Sequence, residues 1–286
     1  DATLGYGGHT RAMLEKLQGN GHIYGLDVDP IESVKTEKRL REAGFDENIF
    51  TVRLQNFADI DKVVADTGRR FDFILADLGV SSMQIDNPER GFSYKAEAPL
   101  DMRMNREDAL SAYDIVNGWS YEQLRRILFE YGEERFAARF ASRIVKEREQ
   151  EPIRTTYQLS ELIKGAMPAA ARDGGHPAKR SFQAIRIEVN AELDVIRPAL
   201  ESAMRRLNKG GRMAVITFHS LEDRIVKQTF ADMASGCTCP RGLPVCVCGK
   251  TPAVKVISRK PILPDAEELE VNPRSRSAKL RVAEKL

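Results

Sequence analysis

The sequence opens on a glycine-rich turn that constrains the fold more than any other feature. Gly5, Gly7 and Gly8 occupy three of four consecutive positions, directly before an amphipathic run. Glycines let a ligand approach the backbone closely, and the first N–H groups of the following helix face that ligand. An apolar strand then ends at Asp27, twenty residues after Gly7. Because a doubly wound α/β unit places a ribose-binding carboxylate at about that distance, this stretch predicts an α/β fold with a nucleoside site.

The same turn indicates which nucleoside ligand it binds. A dinucleotide fingerprint needs a third glycine for close packing over a pyrophosphate, and this chain has Thr10 at that position. A cofactor with a ribose and no pyrophosphate has no such need, and S-adenosylmethionine is the common one. An ordinary glycine turn with solvated acids is the alternative structure. An NAD-dependent dehydrogenase and a non-catalytic RNA-binding module are the alternative functions.

Length and composition limit the class of protein. A chain of 286 residues can hold one large domain or two smaller ones, and 42% hydrophobic with 30% charged residues is typical of a globular protein. No apolar run approaches the roughly 20 residues of a membrane span, so no membrane partner is predicted. All four cysteines lie between Cys237 and Cys248, which favours a reducing, cytoplasmic setting. The chain begins abruptly at the end of a presumed strand, which predicts a truncated N-terminus.

A second acid lies where a buried strand is predicted to end. The near-continuous apolar run over residues 72–80 indicates a central parallel strand, with Asp77 near its carboxyl end. Ligands of open α/β sheets bind at that edge, and a carboxylate there has no packing role, so Asp77 is a candidate site residue. A polar loop at 81–86 follows it. Phe57, after the strand predicted at 49–54, can stack on adenine or be a plain core phenylalanine, and both interpretations stay open.

A second buried strand, predicted at 213–218, delivers His219 and Ser220 to the same edge. We expect Ser220 to cap the next helix, since Asp223 completes a Ser-x-x-Asp sequence. Two roles stay open for His219: it contacts the substrate, or it forms a structural hydrogen bond. Upstream, a helical pattern opens at Lys179, resumes after Pro198 and is expected to end at residues 209–211.

The middle of the chain predicts an inserted helical domain. Residues 103–185 show no strand signal, and helices with capping-box sequences begin there. The capping residues are Ser111, Ser120 and Thr155. We therefore predict an α/β domain from residues 1–102 and 186–286, interrupted by an all-helical insertion at 103–185. The basic tail at 273–285 alternates like an edge strand over 280–283, and its charges are suited to phosphate contacts.

The sequence leaves open whether the two cysteine pairs bind a metal ion. Four thiolates on a small hairpin are able to bind Zn²⁺, but Cys-x-Cys is tighter than the usual ligand spacing of two to four residues. No metal is therefore assigned to Cys237, Cys239, Cys246 and Cys248 at this point.

Eight motifs, spread over the whole chain, together resemble one family closely. They are Gly5-x-Gly-Gly-His9, Leu26-Asp-Val-Asp-Pro30, Asp77-Leu-Gly-Val-Ser-Ser82, Glu89-Arg-Gly-Phe-Ser93, Leu100-Asp-Met-Arg-Met104, Tyr131-Gly-Glu-Glu-Arg-Phe136, Phe218-His-Ser-Leu-Glu-Asp-Arg224 and Asn272-Pro-Arg-Ser-Arg-Ser277. The family is that of the bacterial 16S ribosomal RNA cytosine-N4 methyltransferases, or small-subunit methyltransferase H. The resemblance implies a class I methyltransferase with a Rossmann-like doubly wound sheet, the cofactor S-adenosylmethionine and a helical insertion for substrate recognition. The implied substrate is one cytidine of 16S rRNA near the decoding centre of the small ribosomal subunit.

The resemblance also carries site residues over to this chain. The implied cofactor contacts are Gly7, Gly8, His9, Asp27, Phe57, Asp77 and Gln84. This chain departs from the family in lacking the segment upstream of the glycine turn and in having Met83 where proline is common. The cysteine hairpin is not general to the family. We hypothesise that the loop after Asp77 holds the methionine moiety and presents acceptors to the N4 amine, with Asp77 as the catalytic candidate, and that Arg180, Arg186 and His219 position the nucleotide.

Overall fold

The computed structural model describes residues 1–169, 171, 175–237, 239, 245 and 247–286. In chain order its helices are α1 (Gly8–Leu17), α2 (Pro30–Glu42), α3 (Ile60–Thr67), α4 (Ser82–Asp86), α5 (Ala112–Gly118), α6 (Tyr121–Glu130), α7 (Ala137–Arg148), α8 (Thr156–Ala166), α9 (Lys179–Val189), α10 (Ile196–Arg206), α11 (Ser220–Ala234) and α12 (Ala266–Val271). Its strands are β1 (Ile23–Asp27), β2 (Phe50–Leu54), β3 (Phe71–Asp77), β4 (Leu207–Thr217), β5 (Val254–Val256) and β6 (Lys279–Lys285). Short 3₁₀ helices lie at Phe57–Asp59, Pro88–Arg90 and Pro273–Ser277.

The chain divides into two compact units. The first, which we call the sheet unit, is Asp1–Gly79 with Leu193–Leu286, and the second, the helical unit, is Val80–Glu192. The insertion predicted at 103–185 lies inside the helical unit.

A mixed β-sheet forms the sheet unit. β1 pairs with β2 in parallel, and β3, β4, β6 and β5 pair in that order. Residues 1–4 link the two sets of strands, because the Ala2 N–H donates to the Leu75 carbonyl and the Leu4 N–H donates to the Leu26 carbonyl. β3 runs parallel to β4, whereas β6 is antiparallel to β4 and β5. The predicted α/β class is confirmed, and the sheet is mixed.

The two predicted central strands pair with each other. β3 buries Ile74, Leu75 and Ala76 in succession, as expected of a strand covered on both faces. β4 is longer than predicted, and the expectation that a helix runs to residues 209–211 is wrong. Leu207 is buried, and it pairs with Phe71 next to a register shift between β3 and β4. The chain therefore enters the sheet directly after α10.

The tail also differs from its prediction. β6 lies between β4 and β5, so the edge-strand interpretation is wrong. Arg281 on β6 is buried and forms an ion pair with Asp223 of α11, with an Nε–Oδ1 distance of 2.6 Å. This guanidinium therefore stabilises the sheet unit instead of facing a phosphate.

The helical unit has a core of its own. Capping boxes begin α5 at Ser111, α6 at Ser120 and α8 at Thr155, as the sequence predicts. Leu124 and Ile127 of α6, Phe140 of α7 and other apolar side chains of this unit pack into one buried cluster. Among the residues described in this unit, β-structure is limited to an isolated bridge between Pro99 and Thr155.

Candidate functional site

The glycine turn leaves open space at the start of α1. Gly7 has a φ of +82°, a left-handed conformation that favours glycine, and a Cβ on it would lie 2.7 Å from Thr36 Cγ2. Packing therefore requires glycine at position 7. At Gly8 a Cβ would meet no described atom within 4 Å, and no hydrogen bond from a described side chain caps α1. The first N–H groups of α1 are thus placed to bind an incoming ligand.

Asp27 is tied to this turn by hydrogen bonds. As the last residue of β1, it accepts the Gly5 N–H on Oδ2 at 2.8 Å and the Asp29 N–H on Oδ1 at 2.9 Å. Burial raises the pKa of the Asp27 carboxyl, while the N–H groups of Asp29 and Gly5 act in the opposite direction. The two oxygens of a carboxylate offer about four acceptor positions between them, which leaves room for a further donor such as a ribose hydroxyl.

Asp77 joins the same site from β3. It is the last residue of that strand, and its N–H donates to Thr3 Oγ1 at 2.6 Å. Its Oδ2 lies 3.4 Å from His9 Nε2 on the first turn of α1, and this hydrogen bond is the main reason why the pKa of His9 is raised. Its Oδ1 is buried and has no hydrogen-bond partner among the described residues. Since buried acceptors are nearly always paired, this oxygen marks a place where a ligand donor fits.

At the end of β4, the structure corrects the prediction of which residue caps the next helix. His219, and not Ser220, is the N-cap residue of α11, and Ser220 is the first residue of the helix. The Glu222 side chain completes the capping box by accepting the Phe218 and His219 N–H groups on Oε2. The side chain of His219 is only 9% exposed, with Nε2 3.1 Å from Glu222 Oε1. The His219 side chain therefore lies against the Glu222 carboxylate at the start of α11, and its role toward a substrate stays a prediction.

Phe57 is at the start of a 3₁₀ helix after β2. It is partly buried and packs against the apolar cluster of the sheet unit, which leaves the choice between adenine stacking and a core role open. Gln55, two residues earlier, has a buried Oε1 without a hydrogen-bond partner in the described part of the chain.

The other predicted site residues belong to the helical unit. Gln84 is buried, and its Oε1 accepts the Ser81 N–H in the capping box of α4. Arg180 is exposed on α9 and donates to the Glu133 carbonyl. Arg186 forms a two-bond ion pair with Glu192, at 2.8 and 2.9 Å. Their roles toward cofactor and substrate remain predictions.

Three cysteines converge in the sheet unit. The Sγ atoms of Cys237, Cys239 and Cys248 all lie within 4.8 Å of one another. Backbone hydrogen bonding from Val247 is the largest of the effects that lower the pKa of the Cys239 thiol. Cys246 lies outside the described residues.

Sequence reasoning missed three residues that shape this site. Thr3 binds the Asp77 backbone, Gln55 has an unpaired buried acceptor, and Glu222 is a carboxylate only 1% exposed at the end of β4. Glu222 had a signal in the sequence, since it is three residues after His219 in a capping-box spacing. The sequence contains no such signal for Thr3 or Gln55, because the residues that surround them are distant in the chain.

Comparison with known proteins gives consistent matches over the full chain. The sequence model of the MraW methylase family matches residues 1–286. A protein of Clostridium botulinum (strain Kyoto / Type A2), named ribosomal RNA small subunit methyltransferase H, is 51% identical over 100% of this chain and 92% of its own length. A protein of the same name from Brevibacillus brevis is 53% identical over 100% of this chain and 91% of its own length. The crystal structure of an rRNA methylase from Streptococcus thermophilus has a TM-score of 0.42 and 13% identity, covering 100% of this chain and 84% of the other. Among the described residues, no helix combines the length and apolar character needed to cross a membrane.

Proposed function

Since this chain belongs to the MraW methylase family, we propose that it methylates the exocyclic N4 amine of one cytidine in 16S rRNA, near the decoding centre of the small ribosomal subunit. The methyl donor is S-adenosyl-L-methionine, and the substrate places the reaction in the cytoplasm. Membership confirms the resemblance to small-subunit methyltransferase H and decides against the NAD-dependent dehydrogenase. The relatives' shared name supports an rRNA substrate.

The observation that carries the proposal is the unpaired Oδ1 of Asp77 beside the glycine turn. One acceptor of Asp77 contacts His9 on α1, and the other is buried with no described hydrogen-bond partner. The Asp27 carboxylate accepts the N–H of Gly5 in the same turn. A cofactor with a ribose at one end and an ammonium group at the other offers donors to both carboxylates. These residues therefore fit S-adenosylmethionine.

We assign the residues of this site as follows. Asp27 accepts from the ribose hydroxyls, and the first N–H groups of α1, at Gly8 and His9, face the cofactor. Phe57 packs at the adenine end, while Asp77 and Gln84 hold the methionine end. When bound, S-adenosylmethionine supplies an electrophilic methyl group on a positively charged sulfur.

The chain must also prepare the nucleophile. The lone pair of a cytosine N4 amine is conjugated into the ring, so the amine needs acceptors that orient it and polarise its N–H bonds. Asp77 and the loop after it are placed at a strand end to supply such acceptors. The target base must leave its stack to reach them. We assign base positioning to Arg180, Arg186 and His219, and rRNA recognition to an insertion at 103–185 of the α/β domain formed by 1–102 and 186–286.

A transfer assay tests the proposed reaction. Small subunits from a strain that lacks the modification are incubated with the protein and S-adenosylmethionine labelled in the methyl group. We expect label in 16S rRNA and, after nuclease digestion and mass spectrometry, N4-methylcytidine at one position. Label in another nucleotide, or binding of rRNA without transfer, would contradict the proposal. The second outcome would favour the RNA-binding module.

A variant of Asp77 tests the site. Asp77→Ala removes the acceptor at the end of β3 and should raise the Kd for S-adenosylmethionine at least about tenfold, or 1.4 kcal/mol, by calorimetry. Asp72→Ala is the matched control, because Asp72 lies on the same strand but is exposed and bonded to Asn208. Equal affinity of the Asp77→Ala protein and the control would refute the assignment of Asp77.

A further inference from the structure

The segment between α11 and β5 holds three thiols in a small space. Cys237 and Cys248 lie eleven positions apart, yet their Sγ atoms are 3.7 Å apart. The Cys239 N–H donates to Cys237 Sγ at 3.4 Å, and all three sulfurs are within 4.8 Å of one another. The methyltransferase site uses none of these residues.

The sulfur spacing matches a metal site better than a disulfide. Zn–S bonds of about 2.3 Å at a tetrahedral angle place neighbouring sulfurs about 3.8 Å apart. A disulfide bond joins its sulfurs at about 2.05 Å. The 3.7 Å between Cys237 and Cys248 therefore matches the sulfur–sulfur edge expected of a tetrahedral thiolate site.

Hydrophobic packing does not explain why the thiols converge. Val245 and Val247, beside them in the sequence, are 69% and 78% exposed, so the apolar side chains point to solvent while the cysteines face one another. The C-terminal end of the segment is held to α11. The Ala253 N–H donates to the Met233 carbonyl, and Lys250 Nζ donates to the Asp232 carbonyl. A loop closed at its base, whose two described valines are exposed, gains order from a cross-link.

We propose that Cys237, Cys239 and Cys248 bind a structural Zn²⁺ ion that cross-links the segment between α11 and β5. Thiolate ligands are soft and select Zn²⁺ over Mg²⁺ or Ca²⁺. The tight Cys-x-Cys spacing, which argued against a metal at the level of sequence, does not prevent the sulfurs from converging. Zn²⁺ takes four ligands, and the remaining cysteine of the chain, Cys246, lies outside the described residues.

Metal content tests this proposal. The full chain, without an affinity tag, is purified under reducing conditions, incubated with Zn²⁺ and desalted, and its zinc is measured by mass spectrometry. We expect about one Zn²⁺ per chain. Replacement by Co²⁺ should give the thiolate-to-metal charge-transfer band and the intense visible bands of a tetrahedral site. Zinc-free wild-type protein after desalting would overturn the proposal, as would a zinc-free chain whose intact mass is lower by two hydrogens, which indicates a disulfide.

Two variants and a control identify the ligands. Cys237→Ser and Cys248→Ser should each lower zinc retention at least about tenfold, since each removes a thiolate. Val247→Ser changes an exposed side chain in the same segment and should retain zinc like the wild type. Circular dichroism verifies that each variant is folded. Equal zinc retention by a folded Cys237→Ser protein and the Val247→Ser control would show that the metal binds elsewhere.

Discussion

At the scale of single residues, the two acids of the site owe their properties to different surroundings. Asp27 is partly buried, which raises its pKa, and backbone N–H groups that include those of Gly5 and Asp29 bind it. Asp77 shares one oxygen with His9 and leaves the other without a described partner. Both carboxylates were predicted from their positions at strand ends. The contacts with Gly5, Thr3 and His9 that distinguish them come from residues far away in the sequence.

The His9–Asp77 contact predicts a pH dependence. The hydrogen bond with Asp77 raises the pKa of His9 above 6.5, so the stability that this pair contributes is fully present below pH 6.5 and is lost as the pH rises through the folded-state pKa. The contribution is about 0.5 kcal/mol or less, because the side chain of His9 is 52% exposed and solvent screens the pair. In an NMR titration, Asp77→Asn should lower the His9 midpoint.

The NMR signals of His22 provide an internal reference in that comparison, because its imidazole contacts Asn48 O and Thr51 Oγ1. A His9 midpoint that does not move in Asp77→Asn would show that the two side chains do not interact in solution.

At the scale of elements, local sequence was a good guide to where helices begin and a poor guide to pairing in the sheet. Capping boxes at Ser111, Ser120 and Thr155 form as predicted, because their hydrogen bonds span only three residues. The alternating pattern of β6 predicts a strand, but it does not predict which strands pair with it. Antiparallel pairing with both β4 and β5 places Arg281 where it meets Asp223 of α11.

The Arg281–Asp223 pair gives a prediction at this scale. Burial raises the pKa of Asp223, but Arg281 and Lys279 outweigh burial and hold it below its usual value. Arg281→Ala leaves this carboxylate poorly paired and should lower the free energy of unfolding by about 3 kcal/mol, measured by urea denaturation at neutral pH. The difference from wild type should shrink as the pH falls through the folded-state pKa of Asp223, where protonation removes the charge.

An exposed pair that also involves β6 provides the control. Arg212 of β4 binds Glu284 of β6 at 2.8 Å, but the Arg212 side chain is 57% exposed. Arg212→Ala should therefore cost less than about 1 kcal/mol. A similar loss in both variants would mean that burial does not strengthen the Arg281 pair.

At the scale of the whole molecule, each compact unit has its own buried cluster. Phe140 of α7 is fully buried in the helical unit, and Phe230 of α11 is 1% exposed in the sheet unit. The sequence indicated two kinds of region, since strand signals are absent from 103–185. The unit in the structure is larger, Val80–Glu192, because the segments that flank the helices pack into the same cluster.

Separate clusters predict separate responses to core mutations. Phe140→Ala should lower the free energy of unfolding by about 3–5 kcal/mol, because it deletes a buried aromatic ring. Amide hydrogen exchange, read by mass spectrometry, should rise more within residues 80–192 than in the sheet unit. Phe230→Ala is the matched variant, for which the rise should be greater in the sheet unit. Equal increases in both units for both variants would contradict separate cores.

The sequence by itself determined the α/β class, the glycine turn with Asp27, the strand end at Asp77 and the capped helices. Each of these depends on residues that are close in the chain, or on hydrophobic periodicity. Only the tertiary structure decided that His219 caps α11, that Arg281 binds Asp223 and that three thiols converge despite their tight spacing. The Arg281 and thiol contacts depend on which strands become neighbours and where the chain returns to itself, and that is decided by long-range pairing and burial.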